Sequence, residues 1–303
     1  MISIETINKI SFITIENNRH LKIVLSTLGA SVFAIYFNNE LMTLSLEDKN
    51  DYTNPELYHG KTIGPVCGRI ANGQIDEFHY QMNENNVTRH GGNNGLSTQV
   101  FDYHLEEKED TMSAIFAHDC FIVEYLVSLN DDEFSIIYHY QGKPQPISLT
   151  NHAFFHLGGG FNELKLTMDN DYFVENDAKT LIPLSKKEII PCFNFKNGQT
   201  IEKDINDEYL MNGQARGYDH YLHFSKEKEL CLSNAKYALS MVTDFDGVLI
   251  YSDNYVFYEK TIDHRIGIRK ALAVEPQDSP LERKKYDDSH PYHRTIRYIF
   301  RKN

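Results

Sequence analysis

The sequence predicts an all-β protein built as one large antiparallel β-sandwich with few short helices. Three observations support this fold class. Apolar and polar residues alternate with a period of two along much of the chain, as in half-buried strands. Tyr and Phe, which strands favour, occur 19 and 18 times. Clusters of Asn, Asp and Gly separate the alternating segments, and no Pro- or Ser-rich linker interrupts them. We therefore expect residues 1–303 to form a single domain.

Eight segments show the alternation most clearly and are predicted to be strands: 10–15, 21–28, 78–82, 121–129, 134–140, 164–168, 238–243 and 294–300. The apolar runs within 148–157 and 271–274 also have the composition of buried strands. Only 45–60 and 204–213 resemble short helices or irregular crossings. Large sheets of this kind can curve into a concave face, where a small ligand can bind.

Charge and composition exclude several classes of partner. The formal net charge is -13, from 43 acidic and 30 basic side chains, which argues against nucleic-acid or anionic-membrane binding. Residues 1–17 alternate and do not resemble a signal peptide, and no apolar run approaches the roughly 18 residues of a membrane helix. The four cysteines form no CxxC pair, so we expect reduced, buried thiols in a cytoplasmic protein. They are Cys67, Cys120, Cys192 and Cys231.

Two distant segments place a titratable group against an apolar strand. SLTNHAFFHL, residues 148–157, contains His152, and ALAVEPQDSPL, residues 271–281, contains Glu275. Pro276 holds the preceding residue extended and is expected to end the second strand at Glu275. Burial shifts the proton affinity of both groups, and a paired general acid and base needs such residues. Glu275 is alternatively a buried carboxylate with only a hydrogen-bonding role.

Three further segments contain polar side chains suited to binding hydroxyl groups. Arg69 lies in the Gly-rich bend GPVCGRIANGQ, where it either presents its guanidinium to a ligand or forms a structural ion pair. His90, in RHGGNNG, is either a pocket residue or a loop histidine, and strand alternation would point Arg89 the other way. Asp219, in RGYDHYLHF, is either a hydroxyl acceptor or a turn aspartate.

No metal or cofactor site is expected. His152 and His156 are four residues apart, which on a strand separates them by about 13 Å, too far to share one metal ion. There is no HExxH carboxylate, no GxGxxG or GxxxxGK[ST] phosphate loop and no GxSxG nucleophile turn.

In this order and spacing, the segments resemble the aldose 1-epimerase (galactose mutarotase) family. GRIANG is similar to the family's GRxAN segment, RHGG to HGG, LTNHAFFHL to LTNHxYFNL, YDHYL to its DH segment, and VEPQ to ExQ. The resemblance extends from about Gly64 to the C-terminus. It implies a galactose mutarotase-like β-supersandwich that acts on a free aldose such as galactose or glucose, without a cofactor or an obligate protein partner, as a monomer or homodimer.

The resemblance also implies roles for individual residues. Glu275 would take the proton from the anomeric hydroxyl, and His152 would protonate the ring oxygen. The hydroxyls and the ring oxygen would be held by His90, Arg69 and Asp219, with Asn72 and Gln277 in support. One acid and one base suffice to interconvert anomers, because the reaction moves two protons between two oxygens.

The chain departs from the family pattern at His156, where the family usually has Asn, and at Phe101, where a Trp often follows HGG. The segment SPLERKKYDDSH after ExQ also differs. Three alternatives therefore stay open. One is 1-epimerisation of a hexose phosphate, and another is sugar binding without turnover in the same fold. A glycoside hydrolase would need a second carboxylate placed across the scissile bond.

Overall fold

The computed structural model describes residues 1–257 and 259–303, and it confirms the all-β class. Within these residues, three sheets of five, nine and six strands form the framework, and their strands pair antiparallel. The N-terminal sheet contains, in spatial order, Ile2–Ile7, Ile10–Glu16, Leu21–Ser26, Ser31–Phe37 and Glu40–Leu41.

The largest sheet combines strands from the middle and the end of the chain. Its spatial order is Asp102–Glu107, Thr111–His118, Phe121–Ser128, Glu133–Tyr140, Tyr292–Lys302, Tyr237–Thr243, Glu229–Ser233, Lys165–Met168 and Gln199–Thr200. The C-terminal strand lies at its centre, between Glu133–Tyr140 and Tyr237–Thr243.

The six-stranded sheet contains Phe154–Phe155, Leu272–Gln277, Gly247–Tyr251, Asp219–Phe224, Asn170–Asn176 and Pro183–Glu188, in that spatial order. Four short ladders connect to this framework. They pair Arg69–Ala71 with Val87–Arg89, Gln74–Ile75 with Phe78–His79, Thr62–Ile63 with Thr150–Asn151, and Gln145–Pro146 with Lys285–Tyr286.

Helical structure in the described residues is confined to single turns. The 3₁₀ turns are Asp51–Thr53, Leu96–Thr98, Phe161–Glu163, Pro191–Phe193 and Ile201–Asp204, and the α-helix is Glu208–Met211. Three of these turns fall inside 45–60 and 204–213 or at their edge, where the sequence predicted short helices. None of the described helices is long and apolar enough to cross a membrane.

One large apolar core joins the three sheets. It contains Ile23 from the N-terminal sheet, Tyr138 and Ile296 from the nine-stranded sheet, and Val248 and Val274 from the six-stranded sheet, all fully buried. The alternation of buried and exposed side chains explains how the nine-stranded sheet contributes to this core. The strands Phe121–Ser128 and Glu133–Tyr140 bury every second side chain, so each contributes one face to the core.

The eight predicted strands are present, with ends that shift by a few residues; the one predicted at 78–82 is reduced to Phe78–His79. Strands such as Ser31–Phe37 were missed because they are buried on both faces and therefore show no alternation. The four cysteines are free thiols. The prediction of burial was wrong for Cys120, which is exposed in the hairpin turn that begins at Asp119, with φ of 50°, and Cys231 is only partly buried.

Candidate active site

The two faces of the six-stranded sheet have different roles. Val248 and Val274 point into the core, whereas Leu249, Tyr251 and Glu275 line a pocket on the opposite face. Side chains alternate along each strand, so neighbours on adjacent strands form rows across the sheet. Leu249 pairs with Glu275 in one row, and Tyr251 pairs with Asp219 in the next. Two predicted site residues thus share the face that is not used by the core.

Glu275 does not end its strand, as the sequence had suggested. The strand runs on through Pro276 to Gln277, and all six of its residues are buried. At Pro276 the strand pairs with Gly247–Tyr251, while its other neighbour, Phe154–Phe155, reaches only Leu272 and Ala273. A proline is tolerated where one side of a strand has no partner.

A pocket of about 430 Å³ brings together five residues that are distant in sequence. Arg69, His90, His152, Asp219 and Glu275 all line it. They come from different elements: Arg69 begins a short strand, His90 follows one, and Asp219 and Glu275 lie in the six-stranded sheet. His152 lies between the short strands Thr150–Asn151 and Phe154–Phe155, so the run 148–157 is an interrupted strand.

The imidazole of His152 contacts the carboxyl group of Glu275. Its Nε2 lies 3.4 Å from Oε1, and their side chains are 8% and 2% exposed. The backbone of His152 is fixed by two hydrogen bonds, from its N–H to the carbonyl of Lys61 at 3.0 Å and to its carbonyl from the N–H of Gly60 at 2.9 Å. These two hydrogen bonds tie His152 to Gly60 and Lys61, which are distant in sequence.

Burial disfavours charge on both members of the pair. It lowers the pKa of His152 to about 3, with a further contribution from the positive charge of Arg89. Burial also raises the pKa of Glu275 well above its ordinary value, and Asp219 adds to this, while Arg69 opposes it. A carboxylate with a raised pKa is a stronger base, and an imidazolium with a lowered pKa is a stronger acid.

Arg69 and Arg89 are directly opposite each other on paired strands. Two like charges in such positions repel. A carboxylate between them reduces that repulsion, because Glu84 Oε2 lies 3.5 Å from the Nε of each arginine. Arg69 also donates through Nη1 to Asp219 Oδ2 at 3.3 Å. Arg69 therefore lines the pocket and also takes part in a structural ion pair. Its sequence setting had allowed either role.

Both Arg89 and His90 line the pocket, although strand alternation had predicted that they point in opposite directions. The alternation stops because the strand ends at Arg89 and His90 has a left-handed φ of 55°. The N–H of His90 donates to the carbonyl of Gly68 at 2.9 Å, and its ring packs 4.6 Å from that of Tyr58. Burial lowers the pKa of His90, which keeps the ring neutral.

Aromatic side chains complete the lining. The ring of Tyr58 stacks on His152 at 5.8 Å, and Phe154 packs against the other side at 4.9 Å. Tyr251 contacts Phe154 at 5.9 Å. The sequence analysis singled out none of these residues. Phe154 lies inside the segment 148–157 and Tyr58 inside 45–60, both named in the sequence analysis, whereas Glu84 has no local signal, because its role depends on a strand pairing.

The structure does not bring every predicted binding residue into the pocket. Asn72 is exposed in a tight turn with φ of 54°, and its backbone N–H donates to Asn86. Gln277 is 2% exposed, and its Oε1 accepts a contact of 2.6 Å from the thiol of Cys67. Gln277 thus supports the strand that carries Glu275, and Asn72 stands apart from the pocket.

The departures from the family pattern have structural partners of their own. His156 is buried with Nε2 3.4 Å from Asp263 and Nδ1 3.0 Å from Arg265, so it anchors residues 263–265. In the segment SPLERKKYDDSH, which also differs from the family pattern, Arg283 donates to the backbone carbonyls of Cys67 and Arg69 at 3.2 and 3.5 Å. The contacts of Arg283 stabilise the segment of Gly68 and Arg69, which lines the pocket. No group of three or more His, Cys, Asp or Glu in the described part of the chain has a metal-binding arrangement.

Comparison with known proteins decides the family. A family model described as Aldose 1-epimerase matches residues 11–290. The chain belongs to the aldose 1-epimerase family. This assignment confirms the resemblance drawn from the motifs. A galactose 1-epimerase from Lactobacillus acidophilus shares the fold, with a TM-score of 0.86 and 21% identity over 99% of this chain and 97% of that one.

Two curated relatives match parts of the sequence. An aldose 1-epimerase from Lactobacillus helveticus is 30% identical over 95 residues, which are 30% of this chain and 73% of that protein. The bifunctional protein gal10 of Schizosaccharomyces pombe is 24% identical over 247 residues, 74% of this chain. The matched region covers 34% of that relative, so the chain spans about a third of its length.

Proposed function

We propose that this aldose 1-epimerase family member interconverts the α and β anomers of a free hexose such as galactose or glucose, without a cofactor or an obligate protein partner. One observation carries the proposal. A buried imidazole and a buried carboxyl group, His152 and Glu275, lie 3.4 Å apart in a pocket that also contains hydroxyl-binding groups. Sugar binding alone does not need an acid–base pair, so this contact favours turnover over a binding-only role.

The pair can transfer both protons that the reaction requires. Burial places the single proton of the pair on Glu275, and the reactive form is the one in which this proton has passed to His152 across their 3.4 Å contact. Glu275 then removes the proton from the anomeric hydroxyl while His152 protonates the ring oxygen, and the C1–O5 bond breaks to give the open-chain aldehyde. After rotation about the C1–C2 bond, the O5 hydroxyl attacks the other face of the aldehyde. His152 then takes back its proton, and Glu275 returns its proton to the new anomeric oxygen. No net proton is consumed, which fits a pair that keeps one proton throughout.

The other polar side chains of the pocket position the sugar. Arg69 and Asp219 offer donors and an acceptor to hydroxyls, and a neutral His90 can donate to or accept from the substrate. Holding the ring beside the pair makes the proton transfers effectively intramolecular, and this positioning can account for a large part of the rate acceleration.

The charge of the pocket disfavours a hexose phosphate. Two guanidinium groups face five carboxyl groups among the described lining residues, which are Arg69 and Arg89 against Glu56, Asp219, Asp253, Glu259 and Glu275. Both guanidinium groups lie 3.5 Å from the carboxylate of Glu84, which partly neutralises their charge and weakens their attraction for a dianion. A phosphate group would also be repelled by the surrounding carboxylates.

Polarimetry of freshly dissolved α-D-glucose and α-D-galactose tests the proposal, with glucose 6-phosphate as the competing substrate. We expect the wild-type protein to accelerate the drift to equilibrium of a free sugar more than that of the phosphate. His152→Ala should lose this activity, whereas His79→Ala, at an exposed histidine that does not line the pocket, should keep it. Acceleration of the phosphate alone would favour the hexose-phosphate alternative, and saturable binding without acceleration would favour a binding-only protein.

A further inference from the structure

A third histidine, His59, lines the same pocket and has no part in the proposed proton transfers. It is 6% exposed and held between two aromatic side chains. Its ring stacks on Phe154 at 4.9 Å with an interplanar angle of 28°, and Phe257 packs edge-on at 4.5 Å. These contacts fix the plane of the imidazole, so its two nitrogen atoms point in defined directions.

Neither ring nitrogen of His59 has a hydrogen-bond partner among residues 1–257 and 259–303. A neutral imidazole carries one donor and one acceptor, and leaving both unsatisfied in a buried position is destabilising. Burial lowers the pKa of His59 to about 3, and the nearby charges of His152, Lys270 and Lys61 act in the same direction. The ring is therefore neutral at physiological pH, and its two nitrogens are buried in the pocket wall with their hydrogen-bonding capacity unused by the described residues.

We propose that His59 is a substrate-binding residue that hydrogen-bonds a sugar hydroxyl remote from the anomeric carbon. This inference rests on the proposed function and adds a contact to it. The rings of His59 and His152 both pack against Phe154, each with its centroid 4.9 Å from that of Phe154. A sugar whose C1 and O5 lie against His152 and Glu275 would therefore reach His59 with O3, O4 or O6. Its O2 would stay beside the catalytic pair.

The surroundings of His59 suit an uncharged hydroxyl better than an anion. The ammonium group of Lys270 is already paired with Asp253 at 3.0 Å, and both side chains are less than 5% exposed. Lys61 lies over the ring of Tyr52 and donates weakly to the carbonyl of Asn54 at 3.4 Å. Lys270 has no free charge to offer an anion and Lys61 does not line the pocket, whereas a hydroxyl can both donate to and accept from the neutral imidazole.

Deoxy sugars combined with His59→Phe test this contact directly. The rate of anomerisation is measured by polarimetry for the parent hexose and its 2-, 3-, 4- and 6-deoxy analogues, with the wild-type protein and the variant. Phe keeps the aromatic packing and removes both hydrogen-bonding atoms. His59→Gln, which keeps a donor and an acceptor, should restore part of the activity, and His79→Phe controls for the substitution at an exposed site.

In the wild-type protein, we expect removal of one of the 3-, 4- or 6-hydroxyls to lower kcat/KM by between about 2-fold and about 12-fold, as for the loss of one hydrogen bond. In His59→Phe that penalty should disappear, while the penalty for the 2-deoxy sugar stays the same. A general loss of packing would instead lower the rates of all the sugars equally.

Equal penalties in the wild-type protein and the variant would overturn the inference, as would a change confined to the 2-deoxy sugar. If His59→Phe does not fold, His59→Leu takes its place in the same comparison. Absence of turnover of any free aldose by the wild-type protein would refute the proposed function instead. Calorimetric binding of the same deoxy sugars would then test His59 separately, and unchanged affinities would reject its role.

Discussion

Replacing His59 by Phe should make the folded protein less sensitive to acid. The pKa of this imidazole is about 3 in the folded chain and 6.5 ordinarily. Between these values the unfolded chain binds a proton that the folded chain does not, so stability falls as the pH falls below 6.5. The loss is about 1.4 kcal/mol per pH unit, which amounts to about 2 kcal/mol between pH 7 and pH 5. Phe cannot take up this proton.

Denaturant unfolding at pH 7 and pH 5 measures the effect. The decrease in the free energy of unfolding between the two pH values should be about 2 kcal/mol smaller in His59→Phe than in the wild-type protein. Any effect of the substitution on packing cancels, because each protein is compared with itself. His79→Phe, at an exposed position, should respond to acid like the wild-type protein. Equal decreases in all three proteins would mean that His59 is not held neutral by burial.

Three further outcomes follow from the pocket. The pH profile of kcat/KM should show an acid limb near pH 3, where the pair of His152 and Glu275 gains a second proton because burial disfavours the imidazolium; an acid limb near 4.5, the ordinary pKa of a glutamate, would indicate unperturbed groups. Lys270→Met should lower the free energy of unfolding by about 3–5 kcal/mol, because it leaves the buried carboxylate of Asp253 unpaired, and the double variant with Asp253→Asn should recover part of this loss in a denaturant titration. Glu84→Gln should lower kcat/KM between about 2-fold and about 12-fold by removing the charge shared by the two opposed arginines, and unchanged kinetics would show that this carboxylate does not position them.

The fold was predictable wherever one face of a strand is buried and the other is exposed. Phe121–Ser128 and Glu133–Tyr140 alternate along their whole length, and the sequence marks them clearly. Ser31–Phe37 is covered on both faces, so burial leaves no periodic pattern to read, whereas part of Leu272–Gln277 was predicted from the apolar run at 271–274. Pro276 added a misleading stop signal, since a strand with a partner on one side only tolerates a proline.

The residues of the candidate site were predictable where they lie in short sequence motifs. Contacts between segments that are distant in sequence were not predictable. Arg69 and Asp219 were both marked by their segments, but their contact, 3.3 Å across 150 residues, is a product of the fold. The orientation of His90 was misjudged with respect to Arg89, because a left-handed residue breaks the alternation. Nothing in the local sequence around Glu84 indicates that it lies between two arginines.

The most direct measurement is the rate of anomerisation by Glu275→Gln, followed by polarimetry on the preferred free hexose. Gln keeps the shape of the side chain and cannot take a proton from the anomeric hydroxyl. We expect kcat to fall by about 10²- to 10⁴-fold with an unchanged melting temperature, while Glu227→Gln, an exposed control, keeps the wild-type rate. A folded Glu275→Gln protein with activity within a few fold of wild type would contradict the assignment of this carboxylate as the catalytic base.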